Sequence, residues 1–329
     1  PEHSWQIPVK TTATNPLAPF ADAIFTGAIS NSPLTKLAYQ GFQYGKSAAS
    51  VAHKNSIARI RRVVSPPEQE AAPVPPDVFE TYRQRYDQLL ETDWTDAEQG
   101  VYPSSLLFDT PWTEIVQTYP QVLLDLPKVW DREKRKDFRG FSEGIQTDDY
   151  PQYYAQTFHH QTDGYLSDDS ANLYDLQVEL LFNGAADPMR RRILAPLKQA
   201  LMDAGQFETP AAERSTRVLD IACGTGRTLR MLRGALPQAS LFGSDLSPAY
   251  LRKANHTLSE LSGELPQLIQ ANAEDLPYLD GYFHGVTCVF MLHELPAPVR
   301  QKVINECYRV TRPGGTFIIC DSIQAIDSP

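Results

Sequence analysis

From Thr216 onward the sequence alternates between short apolar runs and amphipathic stretches, with turn-forming residues between them. Runs typical of β-strands occupy residues 216–222, 239–245, 266–271, 284–291 and 316–321, and helical spacing occupies 227–236, 248–261 and 298–311. Such alternation is typical of βαβ units, which build a parallel sheet with helices on both faces. The sequence therefore predicts an α/β fold with a doubly wound, mostly parallel sheet, preceded by a long and largely helical N-terminal extension.

The turn that follows the first predicted strand contains two glycines, Gly224 and Gly226, in the stretch "VLDIACGTGR". Ligands of open parallel sheets bind at the carboxyl ends of the strands, and glycines there let backbone N–H groups approach a ligand closely. The strand itself carries Asp220, and the second strand ends at Asp245 in "GSDLS". An acid at the second position accepts hydrogen bonds from two ribose hydroxyls, so either a nicotinamide dinucleotide or S-adenosylmethionine fits these features.

Two details favour S-adenosylmethionine. A dinucleotide fingerprint requires a third glycine, and Leu229 stands in its place. In addition, the carboxylate of Asp220 would repel a pyrophosphate, whereas it suits the positively charged amino group of a methionine moiety.

The combined motifs resemble those of the class I S-adenosylmethionine-dependent methyltransferases, and within them the ubiquinone and menaquinone C-methyltransferase branch, over roughly residues 170–322. The first cofactor motif is "VLDIACGTGR", the second "GSDLS" and the third "ANAEDLPYLDGYFHGV", while "FMLHELP" and "RVTRPGGTFIICD" match later segments. The resemblance implies a Rossmann-like class I fold with S-adenosyl-L-methionine as the cofactor. It implies that the cofactor lies against Asp220, Ala222, Gly224, Gly226, Asp245, Leu246, Asn272, Ala273, Glu274 and Leu292.

The sequence departs from the family pattern in three places. Ala222 replaces the first glycine of the first motif, and Asn272 stands where the family has an aspartate that binds the adenine amino group. An amide oxygen accepts the same hydrogen bond, so we expect cofactor binding to survive. The family sheet has seven strands, and this sequence ends after the fifth, so we expect a shortened chain or an edge that is covered by other means.

Side chains able to accept a proton are the catalytic candidates, because methyl transfer is an in-line displacement that needs a base only when the acceptor loses a proton. In the resembled family the segment before the first strand covers the acceptor, which favours Tyr154, His159 and His160, and His293 follows the fourth strand. The alternative is that these rings only pack the lid. We predict no metal site, because adjacent histidines point apart and no cysteine or carboxylate completes a set beside them.

Three regions are predicted along the chain: a basic arm with a proline-rich linker (1–76), an aromatic-rich helical extension or lid (77–169), and the cofactor-binding domain without its last strands (170–329). No acidic residue lies between Asp22 and Glu68, although six lysines and arginines do. Residues 23–64 are therefore expected either to bind a membrane surface or an acidic protein, or to pack on their own domain.

Local signals predict the helices of the extension. The prolines Pro120 and Pro127 predict only short helices around them, because proline lacks the backbone N–H of a helix interior. A helix capped by Asp168, Asp169 or Ser170 is expected to end at Asn183–Gly184, and another is expected from Asp187 to Gly205.

Composition narrows the function classes. The net charge of −10 argues against general nucleic-acid binding, and the four cysteines indicate buried thiols in a reducing compartment. The expected setting is the cytoplasm or a plastid stroma, with peripheral contact to a membrane as an option. We predict methyl transfer to a small or lipophilic acceptor, with a prenylated quinone or a related ring compound as the favoured class. The alternatives are a methyltransferase-like binding or assembly module without catalysis, and a nicotinamide-dependent dehydrogenase.

Overall fold

A computed structural model describes residues 32–66 and 74–322 of the chain. Its centre is a five-stranded parallel sheet in the order β3-β2-β1-β4-β5. The strands are β1 (Arg217–Ile221), β2 (Ser240–Asp245), β3 (Gln267–Gln270), β4 (Phe283–Val289) and β5 (Thr311–Cys320). This confirms the predicted α/β fold. The strand order reverses between β1 and β4, which places the ligand-binding crevice at their carboxyl ends.

Ten α-helices surround the sheet or precede it within the described ranges. They are α1 (Pro33–Val64), α2 (Pro76–Glu98), α3 (Trp112–Arg135), α4 (Asp168–Leu181), α5 (Ala186–Arg191), α6 (Leu194–Asp203), α7 (Pro210–Ser215), α8 (Arg227–Ala235), α9 (Pro248–Ser259) and α10 (Ala297–Val310). Short 3₁₀ helices occupy Ser104–Phe108, Phe158–His160 and Leu292–Glu294. None of the described helices is both long enough and apolar enough to cross a membrane.

Both faces of the sheet are covered because alternate residues of each strand point to opposite sides. On one face, Val218 and Leu241 join an apolar cluster with Leu229 of α8 and Leu197 of α6. On the other face, a second cluster contains Leu219, Ile221, Val286, Cys288 and, from α10, Val303 and Cys307. The two clusters fix the sheet and so fix the crevice at its carboxyl edge.

The N-terminal extension packs against the same core. Tyr39 of α1 and Trp94 of α2 belong to one apolar cluster with Val218 of β1. Asp93 of α2 forms a fully buried ion pair with Arg191 of α5 at 2.6 Å. The division into three regions stays a prediction, although this cluster spans all three, and most of the predicted linker (67–73) lies outside the described residues.

Three local predictions were wrong. Helix α3 runs without a break through Pro120 and Pro127, because Val122 packs with Leu173 and Leu176 of α4 and compensates for the lost hydrogen bonds.

The cap of α4 is Ser167, whose hydroxyl accepts the N–H of Ser170, and the helix predicted from Asp187 to Gly205 is divided into α5 and α6.

Candidate active site

The glycine turn joins β1 to α8 through three residues with positive φ: Ala222 (52°), Gly224 (54°) and Gly226 (83°). Gly226 is the N-cap of α8, and a Cβ on it would lie 3.2 Å from Ala254 and Leu258 of α9. A Cβ on Gly224 would have Tyr250 as its nearest side chain, at 3.9 Å. The first glycine therefore borders open space, whereas the second allows two helices to pack closely.

Two buried carboxyl groups lie beside this turn. Asp245 accepts hydrogen bonds from the backbone N–H groups of Gly224 (2.9 Å) and Ser247 (2.8 Å), and burial raises its pKa to about 6. Asp220 accepts a hydrogen bond from Thr287 Oγ1 at 2.7 Å, and burial raises its pKa to about 7. Within the described ranges neither carboxyl forms an ion pair with a lysine, arginine or histidine. Two such acids are suited to a ligand that brings hydroxyl groups and positive charge.

A cavity of about 800 Å³ between protein atoms, part of it open to solvent, extends from the turn along the carboxyl edge of the sheet. It is lined by Tyr153, Tyr154, Phe158, Tyr165, Tyr174, Ala222, Gly224, Ser244, Asp245, Leu246, Tyr250, Ala271, Asn272, Ala273, Val289, Phe290, Met291, Glu294, Leu295 and Val303. The ends of β1, β2, β3 and β4 supply one wall, and the segment before α4 supplies the other.

The cavity brings together six of the ten predicted cofactor residues: Ala222, Gly224, Asp245, Leu246, Asn272 and Ala273. The other four lie outside its lining. Asp220 lies behind the turn, bonded to Thr287, and Gly226 packs between helices. The backbone N–H of Leu292 donates to Asp321, and its side chain is buried in the α10 face of the sheet.

Glu274 has a role that the motif did not indicate. Its carboxylate accepts hydrogen bonds from the phenol of Tyr153 at 2.7 Å and from Lys302 Nζ at 3.2 Å. Its backbone N–H donates to Asn272 Oδ1 at 2.9 Å, which leaves that oxygen one further lone pair. Glu274 therefore ties the lid to the sheet, while Asn272 faces the cavity.

The outer wall of the cavity is aromatic. Phe158 stacks on Tyr165 with ring centroids 4.9 Å apart, and Tyr165 meets Tyr250 edge-to-face at 5.5 Å. Tyr154 also lines the cavity, but burial raises the pKa of its phenol well above the usual value. Tyr154 therefore holds its proton tightly and shapes the pocket, and its assignment as a base stays a prediction.

A polar cluster lies around Glu294, a cavity-lining residue that the sequence reasoning missed. Glu294 Oε1 lies 2.8 Å from His159 Nε2 and 3.4 Å from His293 Nε2, and it accepts a hydrogen bond from Tyr165 at 3.1 Å. Burial alone would raise the pKa of Glu294, but the hydrogen bonds with the two histidines lower it to about 2. The available signal was an acid beside His293 just after a buried strand.

The structure brings two of the three predicted histidines together and separates the third from them. His159 and His293 meet at Glu294, although neither lines the cavity directly. Hydrogen bonds with Asp321 and Glu294 raise the pKa of His293 to about 9. His160 faces away from the cluster: its ring lies on Phe138, with centroids 4.7 Å apart. The structure therefore separates His160 from the candidate site, because a turn between His159 and His160 sends the two rings in different directions.

Comparison with known proteins places this site in a class. Residues 218–315 match a family model described as a methyltransferase domain. This match confirms the resemblance to class I S-adenosylmethionine-dependent methyltransferases that the motifs carry, and it supports S-adenosylmethionine as the cofactor.

The relatives point to one branch of that class. The demethylmenaquinone methyltransferase of Thermus thermophilus is 32% identical over 148 residues, which are 45% of this chain and 60% of that protein. The enzyme of the same name from Listeria monocytogenes is 33% identical over 113 residues, 34% of this chain and 47% of the relative. The chain thus spans about half the length of the curated relatives it matches.

Solved structures also match in part. The YcgJ protein from Bacillus subtilis is 28% identical, with a TM-score of 0.29 over 32% of this chain and 43% of that one. A protein from Methanococcus maripaludis, described as a putative S-adenosyl-L-methionine-dependent methyltransferase, is 14% identical, with a TM-score of 0.36 over 54% of this chain and 67% of its own.

Proposed function

We propose that this chain transfers a methyl group from S-adenosylmethionine to a small, lipophilic acceptor, with a prenylated quinone or a related hydroxylated ring as the favoured class. One observation carries the proposal. A single cavity is lined by the glycine turn and Asp245, by a group of aromatic rings, and by the carboxylate of Glu294. A polar cofactor and an apolar ring can therefore be held side by side, away from water.

The residues at the turn fit the cofactor. Asp245 accepts backbone N–H groups on both oxygens, and its carboxylate has acceptor capacity left for a ribose hydroxyl. The buried carboxyls of Asp220 and Asp245 have raised pKa values because the effect of burial outweighs that of the groups that stabilise their ionised forms. A positively charged ligand at the turn would favour the ionised form of both groups.

The chemistry requires little of the protein. The cofactor supplies an electrophilic methyl group: its carbon–sulfur bond breaks, the electron pair stays on sulfur, and a bond forms from the methyl carbon to the acceptor. The chain aligns the two molecules, and alignment of this kind contributes about 7–11 kcal/mol to such reactions. If the acceptor loses a proton, Glu294 is the cavity-lining carboxylate that can receive it. His159 and His293 hold this carboxylate in place.

The choice of acceptor has two supports. The aromatic wall of Phe158, Tyr165 and Tyr250 favours a flat apolar ring. The curated relatives are named for demethylmenaquinone, although this chain covers only part of their length.

The test has two stages. Calorimetric titration with S-adenosylmethionine, with its demethylated product and with NADH separates a methyltransferase site from a dehydrogenase site. We expect binding of the first two only. Transfer of a labelled methyl group to a reduced, demethylated prenylquinone then tests the acceptor. Cofactor binding without transfer to any hydroxylated ring would instead support a binding module, and NADH binding would contradict the proposal.

A further inference from the structure

Glu294 and its two histidines bring three donor atoms together from distant parts of the chain. His159 comes from the lid segment, whereas His293 and Glu294 come from the 3₁₀ helix that follows β4. One ligand atom from each residue lies within 4.8 Å of the other two. Two imidazoles and one carboxylate with open positions form the ligand set of many catalytic zinc and iron(II) sites.

We propose that His159, His293 and Glu294 bind a divalent transition-metal ion, with Zn²⁺ as the test ion, at the acceptor end of the cavity. The proposal differs from the expectation of no metal, which considered only His159 and His160. The fold supplies the missing carboxylate and a second imidazole from residues about 135 positions further along the chain.

The distances suit a metal ion. Tetrahedral zinc with bonds near 2.1 Å places its ligand atoms about 3.4 Å apart. His293 Nε2 and Glu294 Oε1 are already 3.4 Å apart. His159 Nε2 lies 2.8 Å from Glu294 Oε1, so an opening of about half an ångström would admit the ion. The side chain of His159 is 59% exposed and provides the path of entry.

The surrounding groups orient the ligands. Asp321 Oδ1 lies 2.6 Å from His293 Nδ1, so the Nε2 of that ring points at the cluster. Asp321 is itself held by the backbone N–H of Leu292 at 2.6 Å. Tyr165 donates to Glu294 at 3.1 Å. A carboxylate behind a ligating histidine is the usual outer partner in metal sites.

His159 has φ = 53°, in the left-handed region, and the neighbouring His160 has φ = 57°. The tight turn at these two residues places the imidazole of His159 beside Glu294 and the ring of His160 on Phe138.

A metal ion at this site would bind and activate a hydroxyl group of the acceptor. Glu294 lines the cavity, so a metal ion bound to it would lie next to an acceptor held there. A hydroxyl oxygen bound there becomes more acidic and is held at a fixed distance from the methyl donor. This role rests on the proposed function, but metal binding itself does not.

The test uses the whole chain without an affinity tag, titrated with Zn²⁺ in a calorimeter and with Co²⁺ in a spectrophotometer. His159→Asn removes one ligand with little disturbance, because asparagine tolerates the left-handed conformation. Glu294→Gln removes the carboxylate charge. The control is His256→Ala, which removes an exposed histidine at the end of α9. We expect one equivalent of Zn²⁺ to bind, and the binding to be lost in the first two variants and unchanged in the third.

Asp321→Asn adds a graded readout, since loss of an outer carboxylate lowers metal affinity about 10–100-fold while all three ligands remain. Failure of the native chain to bind Zn²⁺ or Co²⁺ overturns the proposal, as does binding that survives both ligand variants or disappears with His256→Ala. A parallel titration with S-adenosylmethionine separates the two ideas. Cofactor binding without metal binding overturns only this inference, and metal binding without cofactor binding leaves it standing while the proposed function fails.

Discussion

Asp245 Oδ2 accepts a hydrogen bond from the backbone N–H of Gly224 at 2.9 Å, so the end of β2 holds the turn that follows β1. The two strands are parallel neighbours, and Asp245 is the last residue of β2. The acid that faces the cavity is therefore also the group that positions the turn. Its charge and its position have separate effects, which different substitutions can distinguish.

Asp245→Asn should weaken S-adenosylmethionine binding about 10–100-fold, because hydrogen bonds to a charged group contribute roughly 1.5–3 kcal/mol and the amide keeps only part of them. The amide oxygen still accepts the N–H of Gly224, so the fold should persist. Calorimetric titration measures the affinity, and Asp280→Ala, which changes an acid with a side chain 83% exposed, is the control. Equal affinity in Asp245→Asn and the native chain would show that the ribose does not meet this carboxylate.

Alanine at the two glycines of the turn should give different defects. Both positions have positive φ, so each substitution costs roughly 1 kcal/mol of backbone strain. Gly226→Ala adds contacts at 3.2 Å with Ala254 and Leu258 and should lose more stability. Gly224→Ala has no contact closer than 3.9 Å, and its methyl group would lie beside the cavity that Gly224 lines.

Urea unfolding and cofactor titration of both variants check this contrast. We expect Gly226→Ala to have the lower free energy of unfolding and Gly224→Ala to have the lower cofactor affinity. The reverse order would mean that the second glycine, not the first, borders the ligand.

The sheet was predictable because short apolar runs alternate with helical spacing, and β1, β2 and β4 are almost wholly buried. All five strands were placed to within a few residues, except that β5 begins at Thr311 rather than at 316, because Thr311 pairs with Phe283 across a bulge. The continuous helix α3 was not predictable from local rules. Its prolines argue against it, and only packing on α4 favours it.

The cofactor half of the site was predictable because its residues follow one another in fixed motifs at the strand ends. The far half was not, because Glu294 meets His159 only after the lid segment folds over the sheet. Sequence proximity suggested the pair His159 and His160, and the backbone turn at these residues separates them. Contacts between distant segments carry no local signal.

Asp220 should make the ligand-free chain less stable as the pH rises. Burial raises its pKa from 3.8 to about 7, so the folded state binds the proton more tightly than the unfolded state does. The free energy of unfolding therefore falls between about pH 4 and pH 7. Asp220→Asn removes this cost while its amide oxygen still accepts the Thr287 hydroxyl.

Thermal unfolding without ligand at about pH 5 and pH 8 tests the effect. The variant should gain on the order of 1–4 kcal/mol over the native chain at the higher pH, and less at the lower pH. Asp280→Asn, at an exposed position, should show no such trend. A stability difference that does not change with pH would contradict the raised pKa.

The buried pair of Asp93 and Arg191 should be essential for holding the extension on the domain. Arg191 donates to both oxygens of Asp93, at 2.8 and 2.6 Å, and the phenols of Tyr39 and Tyr102 also donate to this carboxylate. Asp93→Ala leaves the guanidinium buried without its partner and should cost about 3–5 kcal/mol in urea unfolding. Glu80→Ala breaks only exposed contacts, with Arg83 and Gln84, and should change stability by less than about 0.5 kcal/mol. Similar losses in both variants would refute a special role for the buried pair.

We expect that helix α1 does not bind anionic membranes, in agreement with the alternative that residues 23–64 pack on their own domain. Several of its cations are already engaged within the chain: Lys36 with Glu91, Lys46 with Glu179, Arg61 with Glu133, and Lys54 with the carbonyl of Leu181. Vesicles of phosphatidylserine should therefore sediment no more of the protein than vesicles of phosphatidylcholine do, and both amounts should be small.

The variant Glu91→Gln with Glu133→Gln releases two of these cations at exposed positions without removing any positive charge. It should raise sedimentation with the anionic vesicles, and added salt should reverse the gain because it screens surface charge. Salt-sensitive binding of the native chain would instead show that α1 meets a membrane as it stands. The basic composition of α1, and not the pairing of its charges inside the fold, would then decide whether the protein binds a membrane.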